Sequence, residues 1–127
     1  MNTGLEFASG KINTVTNNIE AEDLVFNPHP TFSGVALKHL VSGQETENRL
    51  SCHLVKIDPN CCLGRHLHPD HLEIHEVIAG SGTFEIDTNT GSYSTGSVGI
   101  IPVGMTHKVV AGADGLFILA TFSPALW

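Results

Sequence analysis

From Gly34 onward the chain alternates between short apolar runs and clusters of turn-forming residues. The runs are Val35–Val41, Leu50–Ile57, Arg65–His68, Ile74–Ala79, Thr83–Ile86, Ser97–Ile101, His107–Ala111 and Leu116–Phe122. Between them lie Ser42-Gly43, Asp58-Pro59-Asn60, Pro69-Asp70, Gly80-Ser81-Gly82, Asn89-Thr90-Gly91, Pro102-Val103-Gly104 and Gly112-Ala113-Asp114-Gly115. Glycine tolerates positive φ, proline fixes φ, and Asn and Asp bond to their own backbone, so each cluster reverses the chain at little cost. Short apolar runs bounded in this way predict strands of an antiparallel sandwich or barrel. No window carries apolar residues at helical spacing for more than two turns, so little or no helix is predicted. Residues 1–30 are polar and weakly patterned, with short apolar pieces such as Leu24-Val25-Phe26 before Asn27-Pro28. They predict an N-terminal arm with one or two edge strands, and residues 31–127 then form the barrel.

Composition adds exclusions to this picture. A chain of 127 residues makes one domain and is long enough to build a core without disulfides. Hydrophobic residues reach 41%, charged ones only 15%, and there are 13 glycines, which fits a turn-rich β protein better than a charged bundle. A net charge of −7 with six Lys and Arg argues against nucleic acid or an anionic membrane as partner, because phosphates need cations. The first residues show no basic stretch followed by an apolar run, and no stretch nears the ~18 apolar residues of a membrane span. A soluble, cytoplasmic protein is expected. Its three cysteines, Cys52, Cys61 and Cys62, then read as free thiols that match no zinc-finger spacing.

Histidine is the outlier, with eight residues of which five lie between positions 53 and 75. It is the commonest metal ligand and titrates nearest neutral pH. Side chains two apart on a strand share a face, so His66 and His68 can grip one ion. Pro69-Asp70 turns the chain, and an antiparallel return lays Glu73 beside them. His75 and Val77 share the face of Glu73, which makes His75 a neighbour of the site, whereas Glu76 has the opposite parity and faces solvent. Pro102 and Gly104 form a corner from which His107 starts the next strand. His71 sits in a loop and reads as exposed; His53 could face inward; His29 and His39 read as surface residues.

The two stretches around these residues resemble the motifs of the cupin superfamily. The first, G-x5-H-x-H-x3,4-E-x6-G, is matched by His66, His68, Glu73 and Gly80, with Asn60 in place of the leading glycine. Asparagine also tolerates left-handed backbone. The second, G-x5-P-x-G-x2-H-x3-N, is matched by Gly96, Pro102, Gly104 and His107, with Ala111 where asparagine is frequent. Fifteen residues separate the motifs, a spacing common in single-domain microbial members. The resemblance implies an all-β, double-stranded β-helix (jelly-roll) barrel. It also implies one divalent transition metal (Fe, Mn, Ni, Cu or Zn) held by His66, His68, Glu73 and His107.

Three imidazoles and a carboxylate leave one or two coordination positions open, the mark of a site that takes a ligand rather than a purely structural one. The expected function is a metal-dependent oxygenase acting on a small organic metabolite, with isomerase or lyase chemistry on the same ligands as a variant. Glu73 or His75 would move a proton. A non-catalytic barrel that binds or senses a small ligand is the alternative, and a metal-free, epimerase-like barrel is disfavoured by the complete ligand set. Apolar residues of both parities near Ile74–Ile78 and Leu116–Phe122 suit a second buried face and so a homodimer. Expected pocket walls are Phe32, Leu54, His75, Phe84, Met105 and Phe117.

Overall fold

The computed structural model describes residues 6–127. The first five residues of the expected N-terminal arm lie outside that range. Ten strands follow one short helical turn: β1 (Lys11–Asn13), β2 (Asn18–Glu20), β3 (Asn27–Pro28), β4 (Val35–Val41), β5 (Ser51–Ile57), β6 (Cys62–His66), β7 (Leu72–Ile86), β8 (Asn89–Ser94), β9 (Val98–Ile101) and β10 (His107–Ser123). β1 and β2 form a separate hairpin, and the rest join one antiparallel sheet in the order β3-β4-β5-β10-β7-β8, with β6 added to β10 and β9 to β7. Among the described residues the helical content is Glu6–Ser9 and two 3-10 turns, as the missing helical periodicity predicts.

β7 and β10 are longer than the sequence pattern predicts. Gly80-Ser81-Gly82 and Gly112-Ala113-Asp114-Gly115 read as turns, but each lies inside one bent strand, and the register of the pair shifts between Ala111 and Leu116. Gly80 and Gly115 adopt φ values of 85° and 77°, and a Cβ at Gly80 would collide with the Gly115 carbonyl oxygen. The glycines therefore make a bulge where two backbones touch, which bends a strand without reversing it. β8 is a further difference, because Asn89-Thr90-Gly91 belongs to the strand and the reversal falls at Asp87, which takes φ 52°. Asn60 has φ 61°, so it fills the left-handed position of the motif's leading glycine.

Alternation sorts the side chains into two apolar layers. Val35, Leu37, Val55, Ile57, Leu63, Val77, Leu116, Ile118 and Phe122 are buried inside the barrel. Leu40, Leu54 and Leu119 face outward, where Ala21 and the arm residues Ile12, Leu24 and Phe26 cover them together with Ile78 and Phe117. This second buried face is the one that suggested a homodimer, and the chain's own arm occupies it. Leu54 and Phe117, expected as pocket walls, belong to this outer layer; one residue along a strand exchanges the faces.

Buried polar groups pin both ends of the chain to the barrel. The Lys38 side chain, 4% exposed, donates to the carbonyls of Ala8 (2.8 Å) and Ala21 (2.9 Å) and lies 4.9 Å from the centre of the Phe26 ring. At the other end Leu126 N donates to Ser51 Oγ (2.9 Å), which also contacts His53 Nε2 (2.8 Å), while His53 Nδ1 meets His39 Nδ1 (2.8 Å). The Trp127 ring packs on both histidines. Burial pushes the His53 imidazole down to about 4, with the His39 charge adding to this and the Glu73 charge partly opposing it.

Two predictions follow from these pins. Lys38→Met should cost about 1–3 kcal/mol by leaving the Ala8 carbonyl without its donor, and should speed proteolysis of the arm; an unchanged urea midpoint would contradict it. His53 resists a proton that the unfolded chain accepts at its ordinary 6.5. Stability should therefore be complete above about pH 6.5 and fall towards pH 4, by at most about 3 kcal/mol. Urea titrations of chelator-treated protein test this, and His53→Gln should reduce the dependence, leaving the share of His68, which burial also lowers to about 4; a flat wild-type profile sinks it.

Candidate metal centre

His66 ends β6, His107 opens β10, and the two are cross-strand partners. His68 follows two residues after His66, before the turn at Pro69-Asp70 leads into β7. The His66 and His107 rings lie 4.2 Å apart between centroids, and His66 and His68 5.0 Å. One ring nitrogen from each of His66, His68 and His107 falls within 4.8 Å of the others. His66 Nδ1 donates to the Gly64 carbonyl (2.7 Å) and His107 Nδ1 to the Met105 carbonyl (3.0 Å). A carbonyl only accepts, so these bonds fix the tautomer and leave each Nε2 with a bare lone pair.

Glu73 stands against this cluster, 3% exposed. Its Oε2 accepts from His75 Nε2 (2.7 Å), whereas Oε1 lies 3.1 Å from His107 Nε2 and 3.7 Å from His68 Nε2. Both Glu73 Oε1 and His107 Nε2 are buried without a hydrogen-bond partner. Orphaned buried acceptors facing each other cost about 1–3 kcal/mol each unless something positive lies between them. A cation fits that requirement, and the imidazole-rich donor set suits a transition metal.

The titration behaviour agrees with this geometry at His66 and His68, whereas His107 answers to Glu73. Burial lowers His66, and burial pushes His68 down to about 4, so both rings are neutral at pH 7 and can donate a lone pair. For His107 burial acts downward, but the adjoining Glu73 carboxylate outweighs it and raises the ring. For Glu73 burial acts upward, and the facing His75 and His107 outweigh it, holding the carboxyl well below the usual carboxylate range.

A cavity of ≈ 30 Å³ borders His66, His68 and Glu73. Its walls are apolar, with Leu37, Val55, Leu63 and Phe122 inside and Leu126 and Trp127 from the C-terminal tail. That volume holds only a few water-sized atoms. The larger hollow of ≈ 480 Å³ along Phe84, Gly91 and Lys108 is open to solvent and contains no histidine, so size does not mark the site here.

His75 is where strand parity places it, 1% exposed, with Nε2 on Glu73 and Nδ1 3.1 Å from the Tyr93 hydroxyl. Glu76 is exposed, as its parity requires. His71 is half-buried; its ring lies 6.3 Å from that of His68 and its Nε2 donates to the Ala125 carbonyl (3.3 Å), so it holds the tail. His53 faces inward but is committed to Ser51 and His39. His29, read as a surface residue, borders the cavity, and its Nδ1 accepts from the Thr31 and Phe32 amides. Phe32 is a wall as expected, its ring 5.7 Å from that of His66. Cys52, Cys61 and Cys62 are unpaired. The sequence reading missed Tyr93 and the tail residues Leu126 and Trp127. Tyr93 stands in Gly91-Ser92-Tyr93-Ser94, where nothing in the local pattern marks it.

No family model matches the chain, and no curated protein sequence matches it. Solved structures do match. A predicted oxalate decarboxylase from Thermotoga maritima superposes with a TM-score of 0.74 at 21% identity, over 81% of this chain and 95% of that one. KdgF from a Halomonas species gives 0.71 at 21%, over 81% and 90%. An RmlC-like cupin from Shewanella frigidimarina gives 0.71 at 20%, over 83% and 87%. At these identities the likeness speaks for the fold. The antiparallel jelly roll, the motif glycines at positive φ and these neighbours agree: the chain is a small cupin in fold, whose His66, His68 and His107 form a cluster that can hold a metal ion.

Proposed function

We propose that His66, His68, His107 and Glu73 together hold one divalent transition metal, and that the chain is a metal-dependent enzyme, of oxygenase type, acting on a small organic acid. The observation that carries this reading is the pair of orphaned buried atoms, Glu73 Oε1 and His107 Nε2, meeting beside bare imidazole nitrogens at a cavity wall. When bound, the ion supplies Lewis-acid polarisation and a place for an oxygen ligand. No Lys or Arg lines the cavity, so a carboxylate substrate would be anchored at the centre itself rather than by a basic side chain. Leu37, Val55, Leu63 and Phe122 keep water away from the reacting atoms and favour a compact, partly apolar acid. Glu73 would ligate the ion through Oε1 and pass a proton through Oε2. His75 reaches the site through Glu73 Oε2. The name of one similar structure, a predicted oxalate decarboxylase, agrees with a small acid and makes lyase chemistry the nearest variant.

The second reading is a barrel that binds or senses a small ligand without turnover, and the few-atom cavity favours it. A homodimer also belongs to this proposal: Val98 and Ile100 on β9 are 62% and 63% exposed, an apolar strip on a solvent-facing strand. Light scattering reads one chain or two.

The purified protein should contain one equivalent of a transition metal after reconstitution. His68→Ala should lose it, while His39→Ala, on a strand outside the cluster, should keep it. Equal retention in both variants contradicts the ligand assignment. Oxygen uptake and carbon dioxide release over a panel of small mono- and dicarboxylic acids separate oxygenase, lyase and binding protein. Saturable binding with no turnover would favour the last.

A further inference from the structure

The two carboxylate oxygens of Glu73 have different surroundings. Oε1 faces His68 and His107 with no hydrogen bond, while Oε2 accepts from His75 Nε2 at 2.7 Å. Beyond His75 the chain of contacts continues to the Tyr93 hydroxyl, 3.1 Å from Nδ1. His75 and Tyr93 are 1% and 2% exposed, and neither belongs to the His66–His68–His107 cluster.

The carboxylate fixes the direction of the first hydrogen bond along this chain. A carboxylate only accepts, so Nε2 of His75 carries the proton it shares with Oε2. Nδ1 in turn meets the Tyr93 hydroxyl, which completes the second hydrogen bond of the ring. Without that hydroxyl the ring would lose its second anchor and could turn away from Oε2. The carboxylate sets the tautomer, and the Tyr93 hydroxyl holds the ring in the orientation that keeps Nε2 on Glu73.

The surrounding structure makes room for this hydroxyl. Gly99 is the cross-strand partner of His75 on β9. A Cβ at Gly99 would collide with the Tyr93 hydroxyl oxygen, although Gly99 is not among the glycines at positive φ. Space rather than backbone conformation is what a side chain there would violate. Phe84 stacks on the Tyr93 ring at 5.0 Å and 30°, which fixes the direction of the hydroxyl.

We propose that Tyr93 and His75, in the space left by Gly99, are positioning residues that clamp Oε2 of Glu73 and present Oε1 alone as a one-oxygen ligand to the ion. This rests on the metal-site reading above. A single-oxygen Glu73 keeps one more position open for substrate than a two-oxygen one would.

Cobalt(II), added to metal-free protein, reports both affinity and coordination through its visible absorption. Tyr93→Phe keeps the ring stack and removes only the hydroxyl; it should weaken cobalt binding by about 10-fold and shift the visible bands. Gly99→Ala should reproduce that effect by displacing the hydroxyl. His75→Gln, which retains a donor near the Nε2 position, should bind more tightly than His75→Leu. In a Glu73→Gln background, Tyr93→Phe should have no further effect. Unchanged affinity and spectrum in Tyr93→Phe, or an equal loss in the Glu73→Gln background, would overturn the positioning role alone. Should Tyr93→Phe not fold, the His75→Gln and His75→Leu pair decides, and equal affinities overturn it. Failure of the wild type to bind cobalt at all would overturn the metal site along with it.

Discussion

β7 and β10 run antiparallel along most of their length, and their register places nearly every group of the site. Phe122 lies opposite Glu73, Ala120 opposite His75 and Ile118 opposite Val77, so the inward face of β7 meets the inward face of β10. The far end of the same pairing sets His107 against Ile86, and β6 then brings His66 to His107 from the other side. A slip of one residue would send Glu73 and His75 outward and bring Ile74 and Glu76 in. Register is strongly specified where one face is buried, and here both faces of the pair are covered, by the barrel interior and by the arm. The glycine bulge lets the two strands bend together and serve both halves of the barrel.

Into this apolar interior the fold inserts a carboxylate. An isolated buried charge is far too costly to persist, so it must be paired and hydrogen-bonded. Glu73 meets half of that requirement with His75, which Tyr93 holds in turn. The other half, at Oε1, is not met by any hydrogen bond in the protein. The backbone carbonyls of Gly64 and Met105 take the outer protons of His66 and His107, and in the neutral His107 ring this leaves a lone pair where a donor would otherwise relieve Glu73. Polarity within the cluster is thus arranged in favour of a cation and against a self-satisfied network.

Enclosure is achieved separately at each end of the chain. Lys38 ties the arm to the outer face through two backbone carbonyls, and Ser51 with His53 ties the tail across the cavity. Both devices are buried polar contacts between residues distant in sequence. They leave the cavity walls apolar, which lowers the local dielectric and strengthens every electrostatic interaction of the centre. Lys38 and His53 look unremarkable in the sequence because their partners are backbone groups or residues that no motif contains.

Strand alternation, the turn residues and the two motif skeletons made the β class, the barrel and the residues His66, His68, Glu73, His75 and His107 legible in the sequence. Each of those inferences uses a rule that acts over a few residues: parity along a strand, φ at a turn, spacing within a motif. Gly80-Ser81-Gly82 and Gly112–Gly115 read as turns in the sequence because a bulge and a reversal use the same residues, and only the partner strand distinguishes them. Leu54 and Phe117 went to the wrong face where parity was uncertain by one residue. The sequence by itself determined the β class and brought out the histidines His66, His68 and His107 that the structure clusters. The tertiary structure decided which oxygen of Glu73 faces the cluster, that Tyr93 stands behind His75, and that Leu126 and Trp127 close the cavity. Those facts depend on packing between segments from 18 to 75 residues apart, and no local pattern carries that information.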